Sequence, residues 1–293
     1  MAANTRDIRR RIKSVKNTAQ ITKAMQMVAA SKMRRAQQAA LSGRPYAELM
    51  NKVLAEVSAG AGEFSHPLIE QGSGEKRALI VISSDKGLCG GLNSNLFREA
   101  SKAPKESTVF ISAGRKASQF LARTKRDLAA EFSYKDAPQF AEARAISKMA
   151  QDMFLKGEVS GVDVLFTNFI STLVQKPEIK TFLPIGEIQG IEAGVDGESS
   201  EKALEKGNTE FLFEPNPQDV FGNLLPHYLN FQMYQYLLES KASEHSARMV
   251  AMKSATDNAQ QLIKDLTLEF NKLRQSMITN ELLEITSAAM ALG

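Results

Sequence analysis

The alternation of apolar and polar positions changes character along this chain. From His227 to Leu292 there is neither Gly nor Pro, and a repeat steps by four and three through Leu238, Ala242, His245, Met249, Met252, Thr256, Ala259, Ile263, Leu266, Phe270, Leu273 and Met277. All of these but His245 and Thr256 are apolar, and such a repeat sustained over several heptads predicts a coiled coil. A continuous helix of that length would run roughly 100 Å. His245 and Thr256 read as polar residues tolerated in the seam. Residues 1–42 also lack Gly and Pro, which predicts a helix of roughly 60 Å. Its stripe is Ile8, Ile12, Val15, Ala19, Ile21, Met25 and Val28, with alanines between that let a partner backbone approach closely. Gly43 and Pro45 predict a kink, with helix resuming to Val57 and ending at Gly60-Ala61-Gly62. Long helices at opposite ends of one chain can pair antiparallel, and the longer C-terminal one is expected to project past the start of the first.

Between them the period changes. A β-branched run at 77–83 and further strand candidates at 107–112, 129–134 and 162–169 alternate with helical text at 92–103, 115–123 and 139–156. That order predicts right-handed βαβ units and a mainly parallel sheet, with 178–183 as an edge strand. Residues 186–208 are rich in Gly, Ser and Glu and read as an exposed loop. The expected division is an N-terminal coiled-coil helix at 1–57, an α/β domain at 75–208, and a connecting segment with the long C-terminal helix at 209–293.

Charge sharpens this picture. The net charge is +4, but residues 1–57 hold twelve Lys/Arg against three Asp/Glu. The Arg-rich, acid-poor start resembles a targeting sequence, yet its helical pattern continues to about residue 42, so it is read as mature structure. The basic arm suits either nucleic acid or an acidic protein surface. Residues 1–45 contain no aromatic side chain for base stacking. There is no apolar run long enough to span a membrane. A single cysteine, Cys89, makes no internal disulfide, and three scattered histidines make no metal site of their own.

The candidate chemistry is concentrated in Ser83-Ser-Asp-Lys-Gly-Leu-Cys-Gly-Gly-Leu-Asn93. It follows a strand and precedes a helix, where phosphate loops sit. The glycine spacing matches neither common nucleotide fingerprint, and Lys86 precedes the glycines instead of following them. The turn is therefore read as presenting residues to a partner, with an α/β enzyme using residues 83–93 and a basic coiled-coil nucleic-acid-binding protein as the alternatives. Cys89 lacks a nearby histidine to activate it. The last nine residues carry no charge, and Ile285, Ala288, Ala289, Met290 and Leu292 go round the helix. A helix apolar all round is buried, which predicts a socket in another subunit.

Three long motifs carry a family resemblance. Arg11-Ile-Lys-Ser-Val-Lys-Asn-Thr18 with Ile21-Thr-Lys-Ala-Met-Gln-Met-Val-Ala-Ala-Ser-Lys-Met33 is one. Ala247-Arg-Met-Val-Ala-Met-Lys-Ser-Ala-Thr-Asp-Asn258 and Asn271-Lys-Leu-Arg-Gln-Ser-Met-Ile-Thr-Asn-Glu-Leu-Leu-Glu-Ile285 are the others. Together with Asp85–Asn93 they resemble γ subunits of bacterial rotary ATP synthases. The resemblance implies an α/β chain: a long antiparallel two-helix coiled coil plus a Rossmann-like domain. It implies a non-catalytic rotor, with no cofactor and no metal, that couples c-ring rotation to the β subunits and regulates ATPase activity and proton flow. Implied partners are the α and β subunits, ε, the c ring and in some systems an inhibitor protein, with no nucleic acid. The implied location is the cytoplasmic face of a bacterial inner membrane, reached only through the c ring. By the same resemblance Arg274, Gln275 and Thr279 form a catch on a β loop. Lys23, Met25 and Arg248 belong to a coupling region. Asp85, Lys86 and Cys89 form a turn near the lower β segment. Phe211 and Glu214 lie near ε and the c ring, while Ile285, Ala288, Ala289, Met290 and Leu292 are read as a bearing tip from their own apolar, uncharged character.

Overall fold

A computed structural model describes residues 2–43, 45–47, 49–50, 53–54, 66–185 and 216–292. The chain divides into two compact units, residues 1–28 with 249–293 and residues 29–248. The boundaries fall inside the two long helices, and residues 57 and 208 lie outside the described residues. Among the described residues no helix is long and apolar enough to cross a membrane, and no cluster of three metal-type ligands occurs.

In the first unit, the start of α1 (Ala2–Ser42) pairs with the end of α5 (Pro217–Leu292). Thr22 Oγ1 lies 2.8 Å from Thr256 Oγ1, and the Arg9 guanidinium sits over the Phe270 ring at 5.3 Å. Rising numbers on one helix meet falling numbers on the other, so the pair is antiparallel. From Met249 to Met277 the predicted seam positions are all buried or half-buried. On α1 the seam takes Ile8, Ile12, Val15 and Ala19 as expected, then Thr22 and Met25. Ile21 and Val28 are instead more than half exposed. Thr22 occupies the seam opposite Thr256, where its hydroxyl can donate to Thr256 Oγ1, which itself donates to Met252 O. Residues 281–290 are all exposed, past the start of the shorter helix.

The second unit holds a five-stranded sheet of order β3-β2-β1-β4-β5. The strands are β1 (Lys76–Ile82), β2 (Thr108–Ala113), β3 (Leu128–Phe132), β4 (Val159–Phe169) and β5 (Gln175–Leu183). The first four are parallel and β5 pairs antiparallel with β4 at the edge. Side chains alternate across the sheet. Leu79, Val81, Phe110 and Leu165 face α2 (Leu92–Lys102) and α3 (Arg115–Arg123). Ala78, Ile80, Ile82, Ile111, Val164 and Phe166 face the side packed by α4 (Phe140–Leu155) and α5. Strands buried on both faces need the near-continuous apolar runs seen in the sequence.

Helix α5 starts at Pro217, ten residues before the Gly- and Pro-free stretch, and carries Pro226 inside it. Proline removes one intrahelical hydrogen bond. Burial of Leu225, Tyr228 and Leu229 beside it offsets that loss. Gly43 closes the last turn of α1, its N–H donating to Ala40 O, and helical backbone returns at residue 45.

Candidate functional site

In strand order 3-2-1-4 the connections reverse direction between β1 and β4. The crevice beyond the C-terminal ends of those strands is where doubly wound enzymes hold a ligand. Here that crevice holds the chain's own helix. Ser243 Oγ donates to Thr167 O at the end of β4 (3.0 Å) and Ser246 Oγ to Thr172 O in the following turn (2.8 Å). Arg248 Nη2 donates to Lys86 O and Gly87 O in the turn after β1, both at 3.3 Å. Ser243, Glu244, His245 and Ser246 are all buried.

The Gly-rich turn is held from within. Ser84 Oγ donates to Lys86 O (2.8 Å), and Asn93 Nδ2 donates to Ser84 Oγ (2.7 Å) and Cys89 Sγ (3.3 Å). Cys89 is only 2% exposed, so its thiol packs inward. Leu88, at a φ of 63°, is turned outward and 62% exposed. Lys86 is exposed, and Asp85 is committed to its own fold: its Oδ1 accepts from Arg115 N (2.9 Å). Ser83 Oγ accepts from Ala117 N (2.7 Å). The first-turn N–H groups of α3, an anion site in phosphate-binding folds, are thus partly occupied, and by a carboxylate that repels phosphate.

One face of α5 carries a buried charge cluster. Glu244 accepts from Lys241 Nζ (3.0 Å) and from Arg248 Nη2 (2.8 Å). Lys241 also lies over the Tyr134 ring at 4.5 Å and 3.9 Å from Asp136 Oδ1. Asp136 pairs with Lys32 of α1, and that bond holds its carboxyl below the usual range. Tyr134 OH donates to Ser83 O (2.9 Å). Burial, with the nearby Glu244 and Asp85 charges, pushes the phenol well above its usual value, so it stays a donor.

Arg248 Nη1 lies 3.3 Å from His245 Nδ1. A guanidinium only donates, so Nδ1 accepts and the ring proton sits on Nε2. Among the described residues Nε2 has no hydrogen-bond partner. His245 is buried in the sheet unit, outside the coil unit whose seam it is expected to join, with one of its two nitrogens satisfied. Burial pushes its pKa down to about 4; Arg248 and Lys241 push the same way, while Glu244 and Asp136 oppose. Between pH 6.5 and 4 the unfolded chain binds a proton at this site that the folded chain refuses. Stability is therefore present above 6.5 and is lost as pH falls, by at most about 3 kcal/mol. Urea midpoints measured from pH 7 to 4 should decline, and His245→Gln should flatten that decline.

The remaining predicted positions are in the coil unit or outside the described residues. Lys23 is exposed and Met25 half-buried; both belong to the coil unit, whereas Arg248 belongs to the sheet unit. Arg274, Gln275 and Thr279 are exposed, with Thr279 Oγ1 donating to Gln275 O (2.9 Å). Ile285, Ala288 and Ala289 are exposed, as is Met290 at 84%. Leu292 is helical, and its side chain, like Phe211 and Glu214, lies outside the described residues. Sequence reading overlooked Lys241, Glu244, Ser243, Ser246 and Tyr134. A signal was available for the charged ones: Lys241, Glu244 and Arg248 repeat the seam's own spacing of three and four.

A doubly wound sheet whose ligand crevice grips its own helix, in a chain whose ends form a two-stranded coil, is built as a mechanical part. The relatives agree. A family model described as ATP synthase matches residues 4–292. The chain is 48% identical over 291 residues to the ATP synthase gamma chain of Opitutus terrae, covering 99% of each. It is 44% identical over 296 residues to that of Methylacidiphilum infernorum, covering 99% of this chain and all of the relative. It is similar in fold to a chain of the Euglena gracilis mitochondrial ATP synthase rotor, with a TM-score of 0.68 and 19% identity over 95% of this chain and 100% of that one. A chain from the central stalk and c-ring structure of the Tetrahymena thermophila mitochondrial ATP synthase gives a TM-score of 0.60 and 26% identity, covering 80% and 99%. The chain belongs to the ATP synthase gamma-chain family. Its role is that of the non-catalytic rotor subunit of the central stalk.

Proposed function

We propose that this rotor couples turning of a c ring to the conformational cycle of three catalytic β subunits. Its partners in this reading are the α and β subunits of the head, an ε subunit and the c ring. The chain then sits at the cytoplasmic face of a bacterial inner membrane, attached only through the c ring. The observation that carries the reading is the crevice filled by residues 241–248 of α5. A site that would hold a nucleotide is used to hold a helix, and that helix continues into the coil. An asymmetric shaft that meets three β subunits differently changes their nucleotide affinities by differential contact, with no chemistry of its own. The exposed basic residues of α1 face acidic protein in this reading, not nucleic acid.

Individual residues follow from the same reading. Asp85, Lys86 and Cys89 belong to the turn that meets the lower segment of β, and the exposed Leu88 lies in the same turn. Lys23, Met25 and Arg248 belong to the coupling region, and Phe211 and Glu214 to the contact with ε and the c ring. Ile285, Ala288, Ala289, Met290 and Leu292 form a bearing, since apolar contact is non-directional and changes little with angle. Arg274, Gln275 and Thr279 form a catch that hydrogen-bonds a β loop in one rotary position and releases it in others. Arg274→Ala with Gln275→Ala should lower ATP synthesis by the assembled enzyme about tenfold, a barrier change of about 1.4 kcal/mol. Both side chains are exposed, so assembly and the urea midpoint should not move. Unchanged synthesis at normal assembly would remove the catch.

A further inference from the structure

We propose that Ser243 and Ser246 are positioning residues that fix the angular setting of α5 in the sheet crevice, so that torque passes between sheet and helix without slip. The proposal rests on the coupling function given above. Successive residues of a helix are about 100° apart. Lys241, Glu244, His245 and Arg248 therefore share one arc of about 100°, and Ser243 and Ser246 lie about 60° apart on the opposite side. The charged arc reaches the turn after β1 through Arg248 and the segment after β3 through Lys241, Tyr134 and Asp136. The serine side reaches β4 and its following turn.

Contacts on one side of a cylinder let it roll, whereas directional contacts on opposite sides resist rotation as a couple. Apolar packing resists rotation only through shape, since its attraction is non-directional, whereas a hydrogen bond also fixes the direction of its donor. Ser and Thr hydroxyls inside helices commonly donate back to the carbonyl of the preceding turn, as Thr256 does to Met252 O (2.8 Å). Ser243 and Ser246 instead donate across to the sheet, and both are fully buried. The turn that receives Ser246 is itself tied down. Gln175 Nε2 donates to Ser171 O (3.1 Å), to Thr172 O (2.9 Å) and, at 3.5 Å, to Ser246 Oγ. The acceptor is thus held by the sheet edge and does not follow the helix.

The test uses the complete enzyme in inverted membrane vesicles, carrying the Ser243→Ala/Ser246→Ala chain. Alanine removes only the two hydroxyls and suits a helix interior. ATP hydrolysis measured with the proton gradient dissipated should stay within about twofold of the parent, while protons pumped per ATP hydrolysed should fall at least about twofold, as expected when two directional bonds are lost from a loaded joint. Unchanged pumping per ATP would mean that the serines only pack, and would overturn the proposal. Pumping and hydrolysis falling together with assembled yield would show a folding role, and would overturn it equally. Failure of the unsubstituted chain to support any pumping would instead remove the coupling reading beneath it.

Discussion

Glu244→Ala should destabilise the isolated chain by about 3–5 kcal/mol, because it strips the shared carboxylate from two cations held inside the protein. Lys241 is 1% exposed at its side chain and Arg248 12%. What remains for Lys241 is the Tyr134 ring and an Asp136 oxygen at 3.9 Å. Arg248 keeps the two carbonyls of the Gly-rich turn but no charge to balance it. The urea midpoint should drop markedly. A second change that removes the stranded ammonium, Lys241→Met, should recover much of the loss, since apolar replacement of a buried pair is often close to neutral. A double variant no more stable than Glu244→Ala would mean that the cluster is not held by charge. The same substitution should loosen the turn after β1, because Glu244 orients Arg248 toward it.

Gly114→Ala is expected to cost a comparable amount through sterics alone. Gly114 has φ of 102°, outside the range of L side chains, and a Cβ there would lie 2.2 Å from Ser83 O. That carbonyl already accepts from Tyr134 OH, and Gly114 N donates to Phe132 O (2.8 Å). Relief therefore requires parting the ends of β1, β2 and β3 where they support the Gly-rich turn. Strain and clash together amount to about 3–5 kcal/mol, a fall of roughly 10 °C in Tm for a unit of this size. A variant melting within a few degrees of the parent would show that the crest of the sheet yields more easily than its hydrogen bonds imply.

Much of this architecture could be read in the sequence, for identifiable reasons. The seam from Met249 to Met277 obeys a local rule of spacing, and the strand–helix alternation from Lys76 to Phe169 needs no knowledge of distant partners. The coil's hydroxyl pair was not legible, because pattern reading favours Ile21 and Val28 over Thr22 until Thr256 is known to face it. The early start of α5 was hidden by Pro226, whose local preference is overridden by the packing of its neighbours. The inward turn of Cys89 depends on the positive φ of Leu88 and on Asn93, and no motif shows it. The crevice contacts join residues as far apart in sequence as Lys86 and Arg248. No periodicity predicts such pairs, although the three-and-four spacing of Lys241, Glu244 and Arg248 marked one face as unusual.

The central claim, that this chain is built to be gripped and turned inside a larger ATPase, is tested most directly by producing it together with the α and β subunits of a bacterial ATP synthase. Isolation through a tag on this chain should bring down the catalytic hexamer with one copy of the chain, active in ATP hydrolysis, while the chain alone binds no ATP by calorimetry. A chain that stays apart from the hexamer, or that by itself binds ATP at micromolar concentration, would contradict the account.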